Sequence, residues 1–219
     1  NNADFMARDI VFTTEKTEYN LFRKNKLIGP VRLSVPGKAT VLNSLAAAGT
    51  AMEMGIEYKV FAEAISKYKG LHRRMEFMGE MNGAMIFNDY GHHPTEIKTT
   101  LQTFKTVKQN RLITVFQPHR YSRTKLLLEE FGKAFFNTDR LIVTDIYPAG
   151  EEEIPGINGK LVADTIKQFG VTSVNYIPDK NEIVSILKKE MEQGDIILFL
   201  GAGDVWKIGL ELIDRKENK

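Results

Sequence analysis

The densest set of side chains that could do chemistry lies at residues 88–97, which read NDYGHHPTEI. This run holds a carboxylate at Asp89 and two adjacent imidazoles at His92 and His93. Adjacent histidine side chains diverge, and the sequence has no cysteine and no histidine pair four residues apart. We therefore predict one imidazole facing a cleft and no metal site. The alternative is that Asp89 and Thr95 only shape a turn before a helix.

A second cluster at residues 117–124 reads QPHRYSRT. The guanidiniums of Arg120 and Arg123 stand three residues apart at the predicted start of a helix. Arginine binds carboxylate and phosphate through a bidentate fork, and a helix N-terminus adds a positive field. The pattern predicts a clamp for one anion, and His119 beside it favours this function over the alternative of a solvated basic turn.

Two further arginines, Arg73 and Arg74, fall in residues 71–75, which we expect to be a short hinge between two domains. Ion pairs at the surface are the ordinary explanation of such a pair. The alternative is that the arginines grip a nucleotide shared between the domains.

Three other sequence features carry weaker signals. Residues 201–203 read GAG after a predicted strand, but Trp206 stands where the dinucleotide-binding motif G-x-G-x-x-G needs its last glycine. We predict a tight turn there. Residues 146–151 have the composition of a shaped loop to which we assign no chemistry. No G-x-x-x-x-G-K-[ST] phosphate-binding loop occurs in the sequence.

The elements that must position these side chains follow from the pattern of apolar residues. Short apolar runs predict strands at 84–87, 112–116, 141–144, 174–177 and 196–200. Amphipathic helices are predicted between them, on faces formed by Ile97, Leu101, Phe104 and Val107, then Leu127, Glu130, Phe131 and Ala134, then Leu161, Thr165 and Phe169, and then Ile183, Leu187 and Met191. Alternation of this kind indicates an α/β domain, Rossmann-like, with a mostly parallel sheet and helices on both faces. Ligands bind beyond the carboxyl ends of such strands, where both clusters fall.

The first third of the chain has a different pattern. Alternating apolar residues around Tyr19 and Val31 predict an antiparallel hairpin that turns at residues 23–26. Two helices should follow. The first presents Leu42, Leu45, Ala46, Gly49 and Met52 on one face, with Thr40 as a possible N-cap and Gly55 as its stop. The second presents Val60, Phe61, Ala64, Ile65 and Tyr68 and ends at Gly70.

Composition excludes several classes of function. The 219 residues include 30 Lys and Arg against 28 Asp and Glu, so the bulk charge predicts no binding of nucleic acid. The absence of cysteine excludes disulfides, thiolate metal sites and a cysteine nucleophile. No apolar run approaches the roughly 18 residues that span a membrane, so we expect no membrane partner.

Four motifs taken together point to a known family. NDYGHHPTEI, FQPHRYSRT, DIYPAGEEEIPG and LFLGAGDVW occur in an order and spacing that resemble the UDP-N-acetylmuramate:L-alanine ligases of the Mur ligase family. The resemblance covers essentially the whole chain. The Tyr90-Gly91 pair and Glu96 resemble these enzymes more than the related murein tripeptide recycling ligases, which remain one alternative.

The resemblance implies an ATP-dependent ligase of peptidoglycan synthesis, located in the cytoplasm. In the family, ATP with Mg²⁺ phosphorylates the lactyl carboxylate of UDP-N-acetylmuramate, and the amine of L-alanine attacks the acyl phosphate. These small molecules are the implied partners, and the resemblance leaves the oligomeric state open. It assigns residues 1–72 to the end of a central ATP-binding domain and residues 73–219 to a C-terminal Rossmann-like domain. We therefore expect a fragment that lacks the phosphate-binding loop and is inactive alone.

The resemblance also assigns roles to individual residues. Contact with the nucleotide falls to Asn43 at the adenine, Arg74, and Asp89 at the ribose hydroxyls. The residues expected to face the alanine and the acyl phosphate are Tyr90, His92, His119, Arg120 and Arg123, of which His92, Arg120 and Arg123 are the expected catalytic residues.

One stretch departs from the family pattern. Where the family has Gly-x-His-Asn-x-x-Asn, residues 37–43 read GKATVLN, with Ala39 and Thr40 in place of the histidine and the first asparagine. The methyl group of Ala39 offers no hydrogen bond to an adenine. This departure favours a second alternative, a non-catalytic Mur-like module that binds a nucleotide or an amino acid.

Overall fold

A computed structural model of the protein describes residues 3–14 and 16–213. The chain divides into two compact units, Asn1–Leu71 and His72–Lys219. Among the described residues, no helix is long and apolar enough to cross a membrane.

The first unit is a three-stranded antiparallel sheet followed by two helices. Its elements are β1 (Phe5–Phe12), β2 (Thr17–Arg23), β3 (Lys26–Leu33), α1 (Lys38–Glu53) and α2 (Tyr58–Ser66), and the sheet order is β1-β2-β3. The predicted hairpin is confirmed, with Arg23 opposite Lys26 at its turn. Strand β1 was not predicted because Arg8 and Asp9 interrupt its apolar pattern and none of its side chains is fully buried.

Helix α1 differs from its prediction at two points. It begins at Lys38 after Gly37, so Thr40 lies inside the helix, where its hydroxyl donates to the Pro36 carbonyl, and the N-cap prediction is wrong. Its buried face is formed by Val41, Ser44 and Ala48. Leu42, predicted on that face, is 57% exposed. In α2 only Phe61 is buried, and the helix ends at Ser66 rather than at Gly70.

The second unit contains a six-stranded sheet in the order β4-β5-β9-β6-β7-β8. Its strands are β4 (Glu76–Met81), β5 (Ala84–Asp89), β6 (Leu112–Phe116), β7 (Arg140–Val143), β8 (Val174–Tyr176) and β9 (Ile196–Leu200). All neighbours pair in parallel except the edge strand β4, which pairs antiparallel with β5. The mostly parallel sheet is confirmed. Strand β4 was not predicted, since its pairing shifts between Phe77 and Gly79 and breaks the alternation of apolar residues.

Helices cover both faces of this sheet, as predicted. They are α3 (Pro94–Val107), α4 (Tyr121–Leu126), α5 (Leu128–Gly132), α6 (Gly159–Gln168), α7 (Lys180–Glu190) and α8 (Trp206–Leu212). One apolar core packs α3, α5 and α6 against the sheet, and a second core packs α7 and α8 against the other face. The single helix predicted around Phe131 is two short helices, with a break at Leu127.

Strands β6 and β9 lie at the centre, and every residue of both is buried. Such continuous apolar runs are typical of parallel strands covered on both faces. Because β5, β9 and β6 are neighbours and run in parallel, the segments that follow Asp89, Leu200 and Phe116 all leave from the same edge of the sheet. The two predicted clusters therefore meet there.

Candidate active site

Asp89 ends strand β5 and is 3% exposed. Its carboxylate accepts hydrogen bonds from the backbone N–H of Met75 at 2.9 Å and of Gly91 at 2.7 Å, and from the Thr100 hydroxyl at 3.4 Å. Burial raises the pKa of Asp89, and these hydrogen bonds partly offset that rise. The carboxylate therefore shapes the turn after β5, and its contact with a ribose stays a prediction.

The start of helix α3 is a capping box. The His93 side chain accepts from the backbone N–H of Thr95, and the Glu96 carboxylate accepts from the backbone N–H groups of His93 at 3.3 Å and of His92 at 3.0 Å. Pro94 occupies the first helical turn, as predicted, but the capping residue is His93. His93 is exposed, whereas the partly buried His92 ring contacts the His119 ring. That one imidazole faces a ligand cleft stays a prediction.

The His92 ring is fixed by the backbone of its own turn. Its Nδ1 lies 3.0 Å from the Tyr90 carbonyl oxygen, which can only accept a hydrogen bond. Nδ1 therefore carries the proton, and the lone pair of the neutral ring lies on Nε2. The Tyr90 ring meets the imidazole edge-on, with their centroids 5.4 Å apart. Nε2 of His92 is thus prepared to accept a proton.

His119, after strand β6, has the opposite tautomer. Nη1 of Arg123 lies 3.2 Å from Nδ1 of His119, and because a guanidinium only donates, Nδ1 accepts and Nε2 carries the proton. Burial, together with the positive charges of Arg123 and Arg120, lowers the pKa of His119 to about 4. The ring is therefore neutral at pH 7. Its centroid lies 5.8 Å from that of His92.

Arg120 occupies an unusual backbone conformation, with φ of 71°. A residue with a side chain adopts such a φ only where its surroundings hold it there, and conformations of this kind are concentrated at functional sites. Nη1 of Arg120 lies 3.7 Å from Oε1 of Glu151, and the side chain is about half exposed. Its guanidinium is therefore available to an anion. A joint clamp by Arg120 and Arg123 stays a prediction.

Arg73 and Arg74 differ in their surroundings. The Arg73 guanidinium donates to the carbonyls of Gly201 and Gly203, both at 2.8 Å, and lies 4.9 Å from the centre of the Tyr90 ring. It therefore ties the turn after β9 to the turn after β5. Arg74 lies over the same ring at 5.4 Å with nearly half of its side chain exposed, so of the two it is the one available to a ligand.

Asn43, the predicted adenine contact, is exposed on α1 in the first compact unit. The remaining predicted residues, which are Arg74, Asp89, Tyr90, His92, His119, Arg120 and Arg123, all lie in the second unit. Five of these residues form a contact cluster: Tyr90, His92, His119, Arg120 and Arg123. The cluster also includes Tyr147, to which the sequence prediction assigned no chemistry.

Sequence reasoning missed Tyr147 and Glu151. The Tyr147 ring stacks on His119 with centroids 5.6 Å apart and planes 11° apart. Glu151 accepts hydrogen bonds from the Ser122 backbone N–H at 3.0 Å and from its hydroxyl at 2.6 Å. The sequence did show an aromatic residue and a carboxylate in the loop that follows a predicted strand. Only the fold shows that this loop lies beside the segment after β6.

The described residues contain no group of three His, Asp or Glu side chains placed to hold a metal ion. The carboxylates nearest the two imidazoles, Glu96 and Glu151, are occupied by backbone N–H groups. These residues do not fit a Mg²⁺ site.

A Rossmann-like domain with histidines and arginines at the carboxyl ends of a mostly parallel sheet belongs to the open α/β folds that bind ligands beyond those strand ends. Residues 73–203 match the family described as Mur ligase, glutamate ligase domain. The chain belongs to the Mur ligase family, and the resemblance inferred from its motifs is confirmed.

Similar proteins extend over nearly the whole chain. The UDP-N-acetylmuramate–L-alanine ligase of Desulfosudis oleivorans is 43% identical over 218 residues, which are 99% of this chain and 48% of that protein. The enzyme of the same name from Geobacter sp. strain M21 is 44% identical over 214 residues, 97% of this chain and 46% of that protein. The chain thus spans about half the length of the curated relatives it matches.

A solved structure supports the fold assignment. The crystal structure of the UDP-N-acetylmuramate–alanine ligase from Thermotoga maritima superposes with a TM-score of 0.80 at 25% identity. The match covers 96% of this chain and 45% of that protein.

Proposed function

We propose that this chain is part of an ATP-dependent, amide-bond-forming ligase that adds L-alanine to UDP-N-acetylmuramate in peptidoglycan synthesis. The observation that carries the proposal is the pair of imidazoles of opposite tautomer, His92 and His119, beside two arginines on a Mur ligase domain. Relatives with this activity in their names, more than 40% identical over nearly the whole chain, support it.

The two compact units have different parts in the proposal. Residues 1–72 are assigned to the end of the central ATP-binding domain, with Asn43 at the adenine. Residues 73–219 are assigned to the C-terminal domain, with Arg74 and Asp89 at the nucleotide. Because Asp89 already accepts three hydrogen bonds, a ribose hydroxyl would have to bind its remaining lone pair on Oδ2.

The cluster is suited to the second half of the reaction, in which an amine attacks an acyl phosphate. Arg120 binds the alanine carboxylate, and Nε2 of His92 accepts a proton from the alanine nitrogen. Loss of that proton turns the ammonium group into a neutral amine, whose nitrogen forms its bond to the acyl carbon. As the tetrahedral intermediate collapses, the bond from that carbon to the phosphate oxygen breaks, and inorganic phosphate leaves with the second excess proton of the nitrogen. The N–H donors of His119 and Arg123 stabilise the negative charge on the phosphate oxygens.

The remaining parts of the proposal follow the family. ATP is a substrate, and Mg²⁺ accompanies it with no ligand assigned to this chain. The other partners are UDP-N-acetylmuramate and L-alanine, with no nucleic acid and no membrane. We place the reaction in the cytoplasm, where ATP and the nucleotide sugar are available.

The test uses a chimera in which this chain replaces the matching segment of the Geobacter sp. ligase. With UDP-N-acetylmuramate and ATP, we expect the chimera to release phosphate when L-alanine is added. The 219 residues alone, whose sequence has no phosphate-binding loop, should release none. A murein tripeptide offered as the amine distinguishes the recycling ligase, and preference for the tripeptide over L-alanine would replace the proposal.

A second candidate function, a non-catalytic binding module, is favoured by one observation. Ala39 has no polar side-chain group, and the Thr40 hydroxyl is engaged by the Pro36 carbonyl. In this conformation Ala39 offers an adenine no hydrogen bond, and the Thr40 hydroxyl cannot donate one to an adenine nitrogen. If the chimera is folded and binds UDP-N-acetylmuramate but releases no phosphate with any amine, this second function is preferred.

A further inference from the structure

The loop that follows strand β7 contacts the second cluster, residues 117–124, through its backbone and through two side chains. It comprises residues 145–151, reads DIYPAGE and ends at Glu151; we call it the β7 loop. Its backbone pairs with the segment after β6, since Tyr147 N–H donates to the Pro118 carbonyl and Arg120 N–H donates to the Tyr147 carbonyl, both at 2.9 Å. His119 and Tyr147 form a parallel β-bridge.

Tyr147 is packed between the site and the turn after β9. One neighbour is the His119 imidazole, on which it is stacked. Another is Gly203, where a Cβ atom would lie 2.6 Å from Cγ of Tyr147 and 2.3 Å from Oε1 of Gln117. Only a glycine leaves room for the ring in this position. Gly203 of the GAG segment therefore packs against the Tyr147 ring, and the Tyr147 ring packs against the His119 imidazole.

The tautomer of His119 depends on the ring orientation that Tyr147 imposes. The imidazole lies nearly parallel to the Tyr147 ring, and in this orientation its Nδ1 meets the Arg123 guanidinium. With Nδ1 accepting, Nε2 is a neutral donor and has no lone pair for a proton. His119 is thereby prevented from competing with His92 as a base.

Glu151 holds the other side of the cluster. Its two carboxylate oxygens accept from the Ser122 backbone and hydroxyl at the start of α4, and its Oε1 lies 3.7 Å from the Arg120 guanidinium. The hydrogen bonds from Ser122 keep the pKa of Glu151 below its usual range. The carboxylate therefore remains charged and orients Arg120 at neutral pH.

The backbone of Arg120 also depends on the β7 loop. Its φ of 71° is unfavourable for a residue with a side chain, and its N–H is fixed by the Tyr147 carbonyl. Removal of the loop contacts would let this backbone relax and turn the guanidinium away.

We propose that Tyr147 and Glu151 are positioning residues of the ligase reaction, in which Tyr147 orients His119 as a hydrogen-bond donor and Glu151 orients Arg120 toward the carboxylate of the incoming amino acid. The assignment rests on the function proposed above. Neither side chain is required to touch a substrate.

The first test measures the imidazole itself and needs no activity. Heteronuclear NMR of the 219-residue chain with isotope-labelled histidine reports the tautomer and pKa of His119. We expect Tyr147→Ala to give mixed tautomers and to raise the pKa of His119 by about one unit, because burial is the largest cause of its depression. Tyr147→Phe, which keeps the ring, should restore both values. If Tyr147→Ala does not fold, Tyr147→Leu replaces it, because leucine keeps apolar volume without an aromatic face.

The second test measures the chimera. We expect Glu151→Ala to raise KM for L-alanine about 10- to 100-fold while KM for ATP stays constant. Glu151→Gln retains an oxygen for Ser122 but loses the charge that pairs with Arg120. Its KM for L-alanine should therefore lie between that of the wild type and that of Glu151→Ala. A role limited to folding would lower stability and change all the kinetic constants together.

The two tests separate this inference from the proposed function. An unchanged tautomer and pKa in both Tyr147→Ala and Tyr147→Leu would overturn the role of Tyr147, whatever the chimera does. A wild-type KM for L-alanine in Glu151→Ala would overturn the role of Glu151. A chimera without phosphate release would instead count against the proposed function, and the NMR result would still stand.

Discussion

Nη1 of Arg123 lies 3.2 Å from Nδ1 of His119, four residues earlier in the chain. A guanidinium placed against an imidazole nitrogen can only donate to it, so the contact selects one tautomer and disfavours the charged ring. The predicted anion clamp thus includes an arginine that also controls the state of its neighbouring histidine.

This contact predicts the effect of replacing Arg123. In Arg123→Met the His119 imidazole loses both its donor at Nδ1 and a nearby positive charge. We expect NMR titration to show the pKa of His119 raised by about one unit from its value of about 4. Lys125→Met removes a positive charge from the exposed side of the same helix and should leave the titration unchanged. Equal shifts in the two variants would rule out a specific contact.

The depressed pKa of His119 also predicts a pH dependence of stability. The unfolded ring takes up its proton near the ordinary value of 6.5, whereas the folded ring does so only near 4. Between these values the unfolded state binds more protons, so acidification favours unfolding. The stability contributed by the neutral ring is fully present above about pH 6.5 and is lost as the pH falls to about 4.

Allowing for solvent screening, this loss amounts to about 1–2 kcal/mol. Chemical unfolding of wild type and His119→Gln across this range measures it, because glutamine does not titrate. We expect the difference in unfolding free energy between the two proteins to narrow toward acid pH by that amount. A difference that does not vary with pH would show that the ring titrates alike in both states.

The capping box of α3 predicts that replacing Glu96 lowers the free energy of unfolding. Its carboxylate accepts two backbone N–H groups that would otherwise lie unsatisfied at the helix start. Burial raises the pKa of Glu96, but those hydrogen bonds and the charge of Arg74 lower it by more. We expect Glu96→Ala to lower the free energy of unfolding by about 1–2 kcal/mol. Lys98→Ala, at an exposed position of the same helix, is the control and should change it by less than about 0.5 kcal/mol.

The close approach of Tyr147 to Gly203 predicts that a methyl group there is harmful. Gly203→Ala places Cβ within 2.6 Å of the tyrosine ring, so the ring must move. We expect a loss of about 1–3 kcal/mol in unfolding free energy and a shift of the His119 imidazole resonances. Gly49→Ala on α1, whose Cβ would lie 3.4 Å from its nearest neighbour, serves as the matched glycine control. It should stabilise its helix by about 0.5–1 kcal/mol. Unshifted imidazole resonances in Gly203→Ala would contradict the link between the two turns.

Much of the fold could be predicted from sequence because the central strands are continuous apolar runs. The strands at 112–116 and 196–200 match the structure residue for residue. Edge strands gave no such signal: β1 carries charges at Arg8 and Asp9, and a shift of register interrupts β4. The buried face of α1 was misassigned because Leu42 is exposed and the polar residue Ser44 is buried in its place. A hydrogen bond with the Tyr19 hydroxyl satisfies the buried Ser44 side chain.

The site was predictable to the extent that it lies in two continuous motifs. The rule that ligands bind at the carboxyl ends of parallel strands placed His92 and His119 on one edge, and their ring centroids lie 5.8 Å apart. The tautomers were not predictable, since they depend on the Tyr90 carbonyl and on the Arg123 side chain in three dimensions. Tyr147 was missed because its importance comes from sheet order, which brings the end of β7 beside the end of β6.

In the proposed function, this domain presents an amino acid to an acyl phosphate. The most direct test is the dependence of phosphate release on L-alanine in the chimera, with Arg120→Met beside it and Lys125→Met as its matched control. We predict release that requires L-alanine and yields one amide per phosphate. In Arg120→Met, KM for L-alanine should rise about 10- to 100-fold, and in Lys125→Met it should not change. Release that is independent of L-alanine, or an unaltered KM in Arg120→Met, would contradict the account.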